Sequence, residues 1–222
     1  MTLTSEAKRS VRTAAPAKPA RLTQEARSHL SRSKIIKAVH RLAMKKEVTE
    51  ISVADICKLA SMTTGAIYFH FGSKDGAIDE AIIDLVLAKY SRLDPSVELP
   101  LRELIGEIID AVTEMHAKGG KQARAISAVI NTRPRVYEAW LEGRRGVIAR
   151  LEAAIRLHRG AQGLSLESSD YLAHFVLNSI EDIAMDVFQW RNPNLEPFAR
   201  SLDDWKERQC ALWSWAVSAP DV

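Results

Sequence analysis

Apolar residues recur every three or four positions along most of this chain, the spacing that lines one face of an α-helix. The clearest stripe is Leu101, Leu104, Ile105, Ile108, Ile109, Val112 and Met115. Arg102, Glu103, Glu107, Asp110 and Glu114 oppose it, and Gly119-Gly120 ends it. A shorter helix is predicted over 122–130, stopped near Asn131-Thr132-Arg133-Pro134. A long one follows from Val136 to about Leu157, its face built from Tyr137, Trp140, Leu141, Val147, Ile148, Leu151 and Ile155, with Gly160 and Gly163 breaking it. Two more are predicted, Asp170 to Trp190 and Pro197 to Val217. No alternating, strand-like segment or internal repeat is legible, so the expected fold class is all-α.

Residues 52–75 carry the most specific signal. Ser52 is a good N-cap, with Asp55 placed to bond back or to complement the helix N-terminus. Val53, Ile56, Cys57 and Ala60 then form one apolar face. A turn is predicted at Ser61-Met62-Thr63, with Thr63 or Thr64 capping a second short helix to about His70. That helix carries Gly65, Tyr68, Phe69 and His70, small or amphipathic residues that suit a helix lying in the major groove, where its first turn reaches base edges. Ile56, Leu59, Ala66, Ile67 and Phe71 are expected as the core of a three-helix unit.

From about Ser31 to Leu87 the chain resembles the DNA-binding domain of TetR-type transcriptional regulators. The matching parts are a first helix, SRSKIIKAVHRLAMKK, the loop EVTEI, the helix-turn-helix, and a helix opening at Ser73-Lys74-Asp75. The run Gly65-Ala66-Ile67-Tyr68-Phe69-His70-Phe71-Gly72-Ser73-Lys74-Asp75 is close to the family signature. One departure is Ser61, where the family usually has the glycine that suits a left-handed turn; it implies mild strain or a slightly different turn. The resemblance implies a DNA-facing Tyr68, a phosphate contact at His70 and a phosphate clamp at Lys74, beside a helix start whose amides also attract phosphate. Thr63, Thr64 and Gly65 are the expected base-edge contacts, and Ser52 and Phe69 complete the predicted DNA-binding set. None of these residues can form a bidentate Arg–guanine pair, so no base is named.

Charge distribution points the same way. Residues 1–75 hold 14 Lys and Arg against 6 Asp and Glu, whereas residues 76–222 hold 17 against 22. A net +3 thus conceals a basic front and an acidic body. Basic residues near phosphate release counterions and make affinity salt dependent, and the asymmetry orients the encounter. Residues 1–27 read as a disordered basic arm: they lack apolar periodicity, contain Pro16 and Pro19, and carry Lys8, Arg9, Arg12, Lys18, Arg21 and Arg27. No apolar stretch follows these charges, so the arm is not a secretory signal. A mitochondrial-type presequence has a similar composition, but the rest of the chain reads as a bacterial-style regulator. The arm either adds DNA contacts or serves as a solubilising tail.

The expected organisation is the arm, a helix-turn-helix DNA-binding domain over 28–75, and a helical effector-binding and dimerisation domain over 76–222. No Gly-rich phosphate loop, His-Glu-x-x-His, Gly-x-Ser-x-Gly or Cys-x-x-Cys occurs, and the six histidines lack metal-ligand spacing. An enzyme is not expected, nor a cofactor, a metal or a membrane partner. Cys57 and Cys210, far apart on apolar faces, fit a reducing cytoplasmic compartment. By resemblance the last two helices pair with those of a second subunit, and their wide aromatic faces, with Trp205, Trp213 and Trp215 in the final one, agree. The resemblance also implies a small-molecule effector held among the central helices. Met115, His116, Tyr137, Trp140, Phe175, Asn178, Asp182 and Met185 have the aromatic, flexible and polar makeup of such a pocket. Asn178 and Asp182 stand out, because polar groups on an apolar helix need partners. The functional expectation is a homodimeric regulator, a repressor released from a palindromic DNA operator by its effector. The alternatives are an activator, and a DNA-binding or interaction protein without small-molecule control.

Overall fold

A computed structural model describes residues 23–93, 99–118, 120–195, 197 and 201–220. Among these the chain forms nine α-helices and no strand: α1 (Gln24–Ala43), α2 (Val53–Ala60), α3 (Thr64–Phe71), α4 (Lys74–Tyr90), α5 (Leu101–Lys118), α6 (Gly120–Ile130), α7 (Pro134–Ala161), α8 (Ser169–Ala184) and α9 (Leu202–Ser218). The all-α expectation is met. Most of the expected arm, like Gly119 and Phe198, lies outside the described residues.

Several boundaries follow from caps that the apolar pattern does not reveal. The first helix begins at Gln24, inside the segment expected to be a disordered arm, because the Thr23 hydroxyl accepts from the Ala26 amide at 3.2 Å and Glu25 complements the N-terminus. The final helix starts at Leu202, not Pro197, where the Ser201 hydroxyl accepts from the Asp204 amide at 3.0 Å. Pro134 opens α7 at a position where its missing N–H costs nothing. That helix passes through Gly160 to Ala161. Near its end Arg159 donates from Nη1 to the carbonyls of Val217 (2.8 Å) and Ala219 (2.9 Å) and from Nε to that of Ser165 (2.7 Å). One buried guanidinium therefore caps the end of α9 and the chain beyond α7 together. The segment predicted as one helix from Asp170 to Trp190 is α-helical to Ala184 and then makes a π-helical turn over Met185–Gln189.

α1, α2 and α3 pack with the first half of α4 around Ile35, Val39, Ile56, Ile67 and Ile78, each essentially inaccessible to solvent. Leu59, expected in this core, is instead 36% exposed on the outer side of α2. The second half of α4 crosses into the body against α7, which also packs on α8, while α5 packs on α8 and α9. The crossing is close: a Cβ on Gly143 of α7 would lie 2.6 Å from Cδ2 of Tyr90. Real Cβ atoms do not approach so near, so only glycine lets α7 settle on the Tyr90 ring. Gly143→Ala should lower the stability of the whole chain by about 1–3 kcal/mol, as overpacking does. Chemical denaturation compared with the neighbouring Gly146→Ala, whose Cβ would meet only the Arg150 side chain, checks this.

Candidate DNA interface and internal cavity

The turn between α2 and α3 is built as the sequence demands. Ser52 and Asp55 form a reciprocal capping box: the Ser52 hydroxyl accepts from the Asp55 amide at 3.1 Å, and the Asp55 carboxylate accepts from the Ser52 amide at 3.0 Å. The Lys46 ammonium at 2.5 Å and these Ser52 bonds hold the Asp55 carboxyl well below the usual carboxylate range. Ser61 adopts the left-handed conformation (φ 53°, ψ 47°), so the turn keeps the geometry that glycine ordinarily serves and a serine bears the strain.

α3 presents Thr63, Thr64, Gly65, Tyr68 and Phe69 to solvent. Phe69 is 80% exposed and Tyr68 50%, an unusual display for aromatic rings on a short helix. Thr63 caps α3 by accepting from the Ala66 amide at 3.3 Å. A Cβ on Gly65 would meet nothing closer than the Thr63 hydroxyl at 3.9 Å, so the missing side chain relieves no crowding inside the protein and leaves room outside it. His70 is half-buried, edge-on to the Phe69 ring at 5.0 Å. Lys74 begins α4 beside the Ser73 cap, which accepts from the Gly76 amide at 2.9 Å. A Cβ on Gly76 would stand 2.3 Å from the Phe71 carbonyl oxygen, so glycine is what lets α3 and α4 meet at this angle. Of the predicted DNA-facing residues, Ser52 differs: its hydroxyl is committed to the capping box, also donating to the Asp55 carboxylate at 2.6 Å.

α4 is held to the body at both ends. Near its start, Arg133 donates to the Asp79 carboxylate (2.6 Å) and the Asp75 carboxylate (3.1 Å), and Glu80 is shared by Arg32 of α1 and Arg135 of α7. Near its end lies a buried cluster. The Glu181 carboxylate of α8 accepts from Tyr90 Oη (2.7 Å) and Lys89 Nζ (2.9 Å) and faces Arg144 Nε at 3.3 Å. Burial pushes the Glu181 carboxyl up, but the two cations and the Tyr90 and Lys89 hydrogen bonds outweigh it and hold the group below its ordinary value. Arg144 also stacks its guanidinium over Trp140, 4.3 Å from the ring centroid, and donates to Asn178 Oδ1.

Against this cluster opens a cavity of about 330 Å³, lined by Lys89, Met115, His116, Ile126, Ser127, Ile130, Asn131, Trp140, Glu181, Asp182, Met185 and Trp190 among others. A neighbouring space of about 440 Å³ between α4, α5 and α6 shares Lys89, Met115, Ala123 and Ile126 with it. The π-helical turn shapes the wall. Its hydrogen bond from Trp190 N–H to the Met185 carbonyl (3.0 Å) repeats at five residues, bringing Met185 and Trp190 toward one side, whereas an α-helix aligns residues three or four apart.

Five of the predicted pocket residues meet here: Met115, His116, Trp140, Asp182 and Met185. Three do not line the cavity. Tyr137 lies behind Trp140, with ring centroids 5.5 Å apart, and is 42% exposed. Phe175 is on the outer face of α8, stacked on Tyr171 and edge-on to Trp213. Asn178 bonds Arg144 instead, and both it and Asp182 are exposed in this chain, not buried polar groups in want of partners. Lys89, Glu181, Ser127, Asn131 and Trp190 were not anticipated. Glu181 and Asp182 are adjacent acids between Ile180 and Ile183, and nothing in their order tells which of the two is buried.

The fold is a capped helix-turn-helix with an exposed second helix, set on a larger helical body. Residues 35–81 match the family model described as bacterial regulatory proteins, tetR family. Over 54 residues the chain is 41% identical to the HTH-type transcriptional regulator TtgR of Pseudomonas putida, a match spanning 24% of this chain and 25% of that protein. The match thus covers about a quarter of that relative's length. Among solved structures, GusR of Salmonella enterica superimposes with a TM-score of 0.65 at 21% identity, covering 89% of this chain and 99% of that one. A transcriptional regulator from Rhodococcus sp. Rha1 gives 0.63 at 18% identity, over 86% and 100%. The likeness to the tetR family lies in residues 35–81, and the solved structures share the fold of most of the chain.

Two outcomes follow from this geometry. Replacing Tyr68 and Lys74 by Ala should weaken DNA affinity by about tenfold or more and lower the slope of log K against log [salt] by about 1 for the lost phosphate contact. Fluorescence anisotropy at several salt concentrations reads both, and an unchanged slope removes Lys74 from the phosphate set. The second concerns His116, which is 5% exposed, with Nδ1 3.3 Å from Gln189 Oε1. Burial, then the Lys89 charge, lowers its pKa to about 4 from an ordinary 6.5. The unfolded chain takes up this proton first as pH falls, so the contribution is complete above pH 6.5 and lost toward pH 4. Stability should drop across that window by up to about 3 kcal/mol from this group, and His116→Phe should flatten the drop in denaturation midpoints measured against pH.

Proposed function

We propose that this protein is a homodimeric, effector-responsive regulator of transcription: a repressor that reads a palindromic DNA site through α3 and leaves it when a small molecule fills the cavity. The observation that carries the reading is continuity between the cavity and the head. The wall residues Ile130 and Asn131 end α6, and Arg133, two residues on, grips the first turn of α4 beside Lys74. A ligand that displaces this wall moves the grip on the helix whose start faces phosphate. Differential affinity for the two arrangements sets the size of the response.

Dimerisation is supported by what the chain leaves uncovered on its last helices. Trp205 and Trp213 are buried within the chain itself, but Trp215 is 71% exposed, Tyr171 65% and Phe175 46%. An apolar face of this kind on two adjacent helices suits an isologous partner, and twofold symmetry matches palindromic half-sites.

The test is selection of fragmented DNA from the source genome by the full chain, read by sequencing, with the oligomeric state measured by sedimentation equilibrium. Enrichment of one short palindrome by a dimer is the expected result. No enrichment from a folded dimer overturns the DNA-reading function. For the effector arm, Ser127→Phe, which fills the cavity from α6, should change affinity for the enriched site by about 5-fold or more, the usual range of allosteric coupling. Unchanged affinity in a folded variant would remove the link between cavity and head.

A further inference from the structure

The cavity's polar inventory is one-sided. Among the described residues that line it there is a single ammonium, Lys89, against two carboxylates, Glu181 and Asp182. Lys89 is already bonded to Glu181, which Arg144 and Tyr90 also satisfy. The Asp182 carboxylate accepts no hydrogen bond from the described residues, and partial burial together with the neighbouring charges of Glu181 and Asp186 pushes it up, against the pull of Arg144. A positive group would relieve that crowding.

His116 is the second observation, independent of the acids. It lines the cavity, is 5% exposed, and its Nε2 is buried with no partner among the described residues. Its Nδ1 faces the Gln189 amide oxygen, which can only accept, so the ring proton sits on Nδ1 and Nε2 offers a bare lone pair. Buried acceptors of this kind call for a donor. Beside the polar Ser127 and Asn131, much of the remaining wall is apolar, flexible at Met115 and Met185 and aromatic at Trp140 and Trp190. Trp140 already holds one cation on its face, that of Arg144.

Resting on the effector reading of this cavity, we propose that its ligand is a protonated amine on an aromatic or otherwise apolar body, with Asp182 as counter-charge and His116 Nε2 as hydrogen-bond acceptor. The apolar body lies among the methionines and tryptophans, and the donor end faces the two acceptors. An anion would meet the Asp182 carboxylate and find the one lining ammonium taken. A neutral hydrogen-bond donor could use His116 but would leave Asp182 uncompensated.

The experiment is calorimetric titration of the full chain with three probes of one shape: naphthylmethylamine, protonated at neutral pH; naphthylmethanol, neutral; and naphthoate, anionic. The amine should bind about tenfold or more tightly than either of the others, a difference of about 1.4 kcal/mol. In Asp182→Asn, whose side chain keeps its shape on an exposed site, that preference should fall to within about threefold. Equal or tighter binding of the alcohol or the carboxylate overturns the proposal, as does a preference that survives in Asp182→Asn, or failure of all three probes to bind. Ser127→Phe separates this inference from the reading beneath it. If that variant changes DNA affinity while the amine shows no advantage, the ligand class alone falls. A silent Ser127→Phe together with no bound probe removes the effector site as well.

Discussion

Glu181 is the anchor on which the arrangement of head and body depends. A carboxylate whose side chain is only 11% exposed would be costly alone, since burying an unpaired charge costs several kcal/mol. It is tolerated because α4 supplies a phenol and an ammonium that donate to it, and α7 brings a guanidinium within ion-pair distance. Burial and the Glu181 charge push the Tyr90 hydroxyl far above its ordinary value, so it remains a donor at any pH the fold survives. Such a cluster has few alternative solutions: moving α4 along α7 would strand the carboxylate. Hydrophobic contacts between the same helices would tolerate sliding by fractions of a turn, whereas this pairing specifies one register. Gly143 serves the same end, since the ring that delivers the Tyr90 hydroxyl needs the space a side chain would take.

The opposite end of α4 is held by chemistry of a different strength. Asp75 is largely exposed, so solvent and salt screen its share of the Arg133 grip, whereas Asp79 is nearly as buried as the Lys89–Glu181 pair. α4 is therefore held by a buried cluster at its body end and by a partly screened contact at the end that joins the helix-turn-helix. In the proposed regulator that asymmetry is useful. A ligand that rearranges the cavity wall need not break the Glu181 cluster; it has only to shift Arg133 by way of Asn131, and the screened contact yields first.

Much of this was legible in the sequence and some was not, for identifiable physical reasons. The periodic runs became helices nearly where the apolar stripes placed them, because burial of one face decides helix formation over such lengths. Boundaries were less legible where caps decide: Thr23 turned four residues of the expected arm into helix, and Ser201 moved the last helix start beyond Pro197. The π-helical turn at Met185 left no trace, since its sequence is apolar at both helical spacings. The helix-turn-helix was readable at its caps and its turn, which demand particular residue types, but not at Leu59, which faces outward, nor at the Gly76 joint. The cavity was readable only by composition. Met115, His116, Trp140, Asp182 and Met185 were found because aromatic, flexible and polar groups stood out on apolar helices, and Phe175 and Tyr137 were misplaced for the same reason. Composition does not say which side of a helix faces inward when both sides are apolar. Lys89 and Glu181 escaped notice because a Lys and a Glu ordinarily signal solvent, and only their pairing across 92 residues makes burial affordable.

α8 brings the two open questions of the body onto one element. Tyr171, Phe175, Asn178 and Asp182 follow each other at spacings of four, three and four, and all are exposed in this chain. The apolar part of that row belongs to the face proposed to meet a second subunit, and its last member stands at the rim of the cavity. A partner helix laid along the row would press on Tyr171 and Phe175 and come near Asp182, excluding water from the carboxylate. Exclusion of water strengthens the attraction of a carboxylate for a cation, because the effective dielectric around it falls. It also raises the cost of leaving that carboxylate without one. Dimerisation and ligand capture would then be coupled through a single residue, with the partner subunit supplying the low-dielectric wall and the ligand the missing charge.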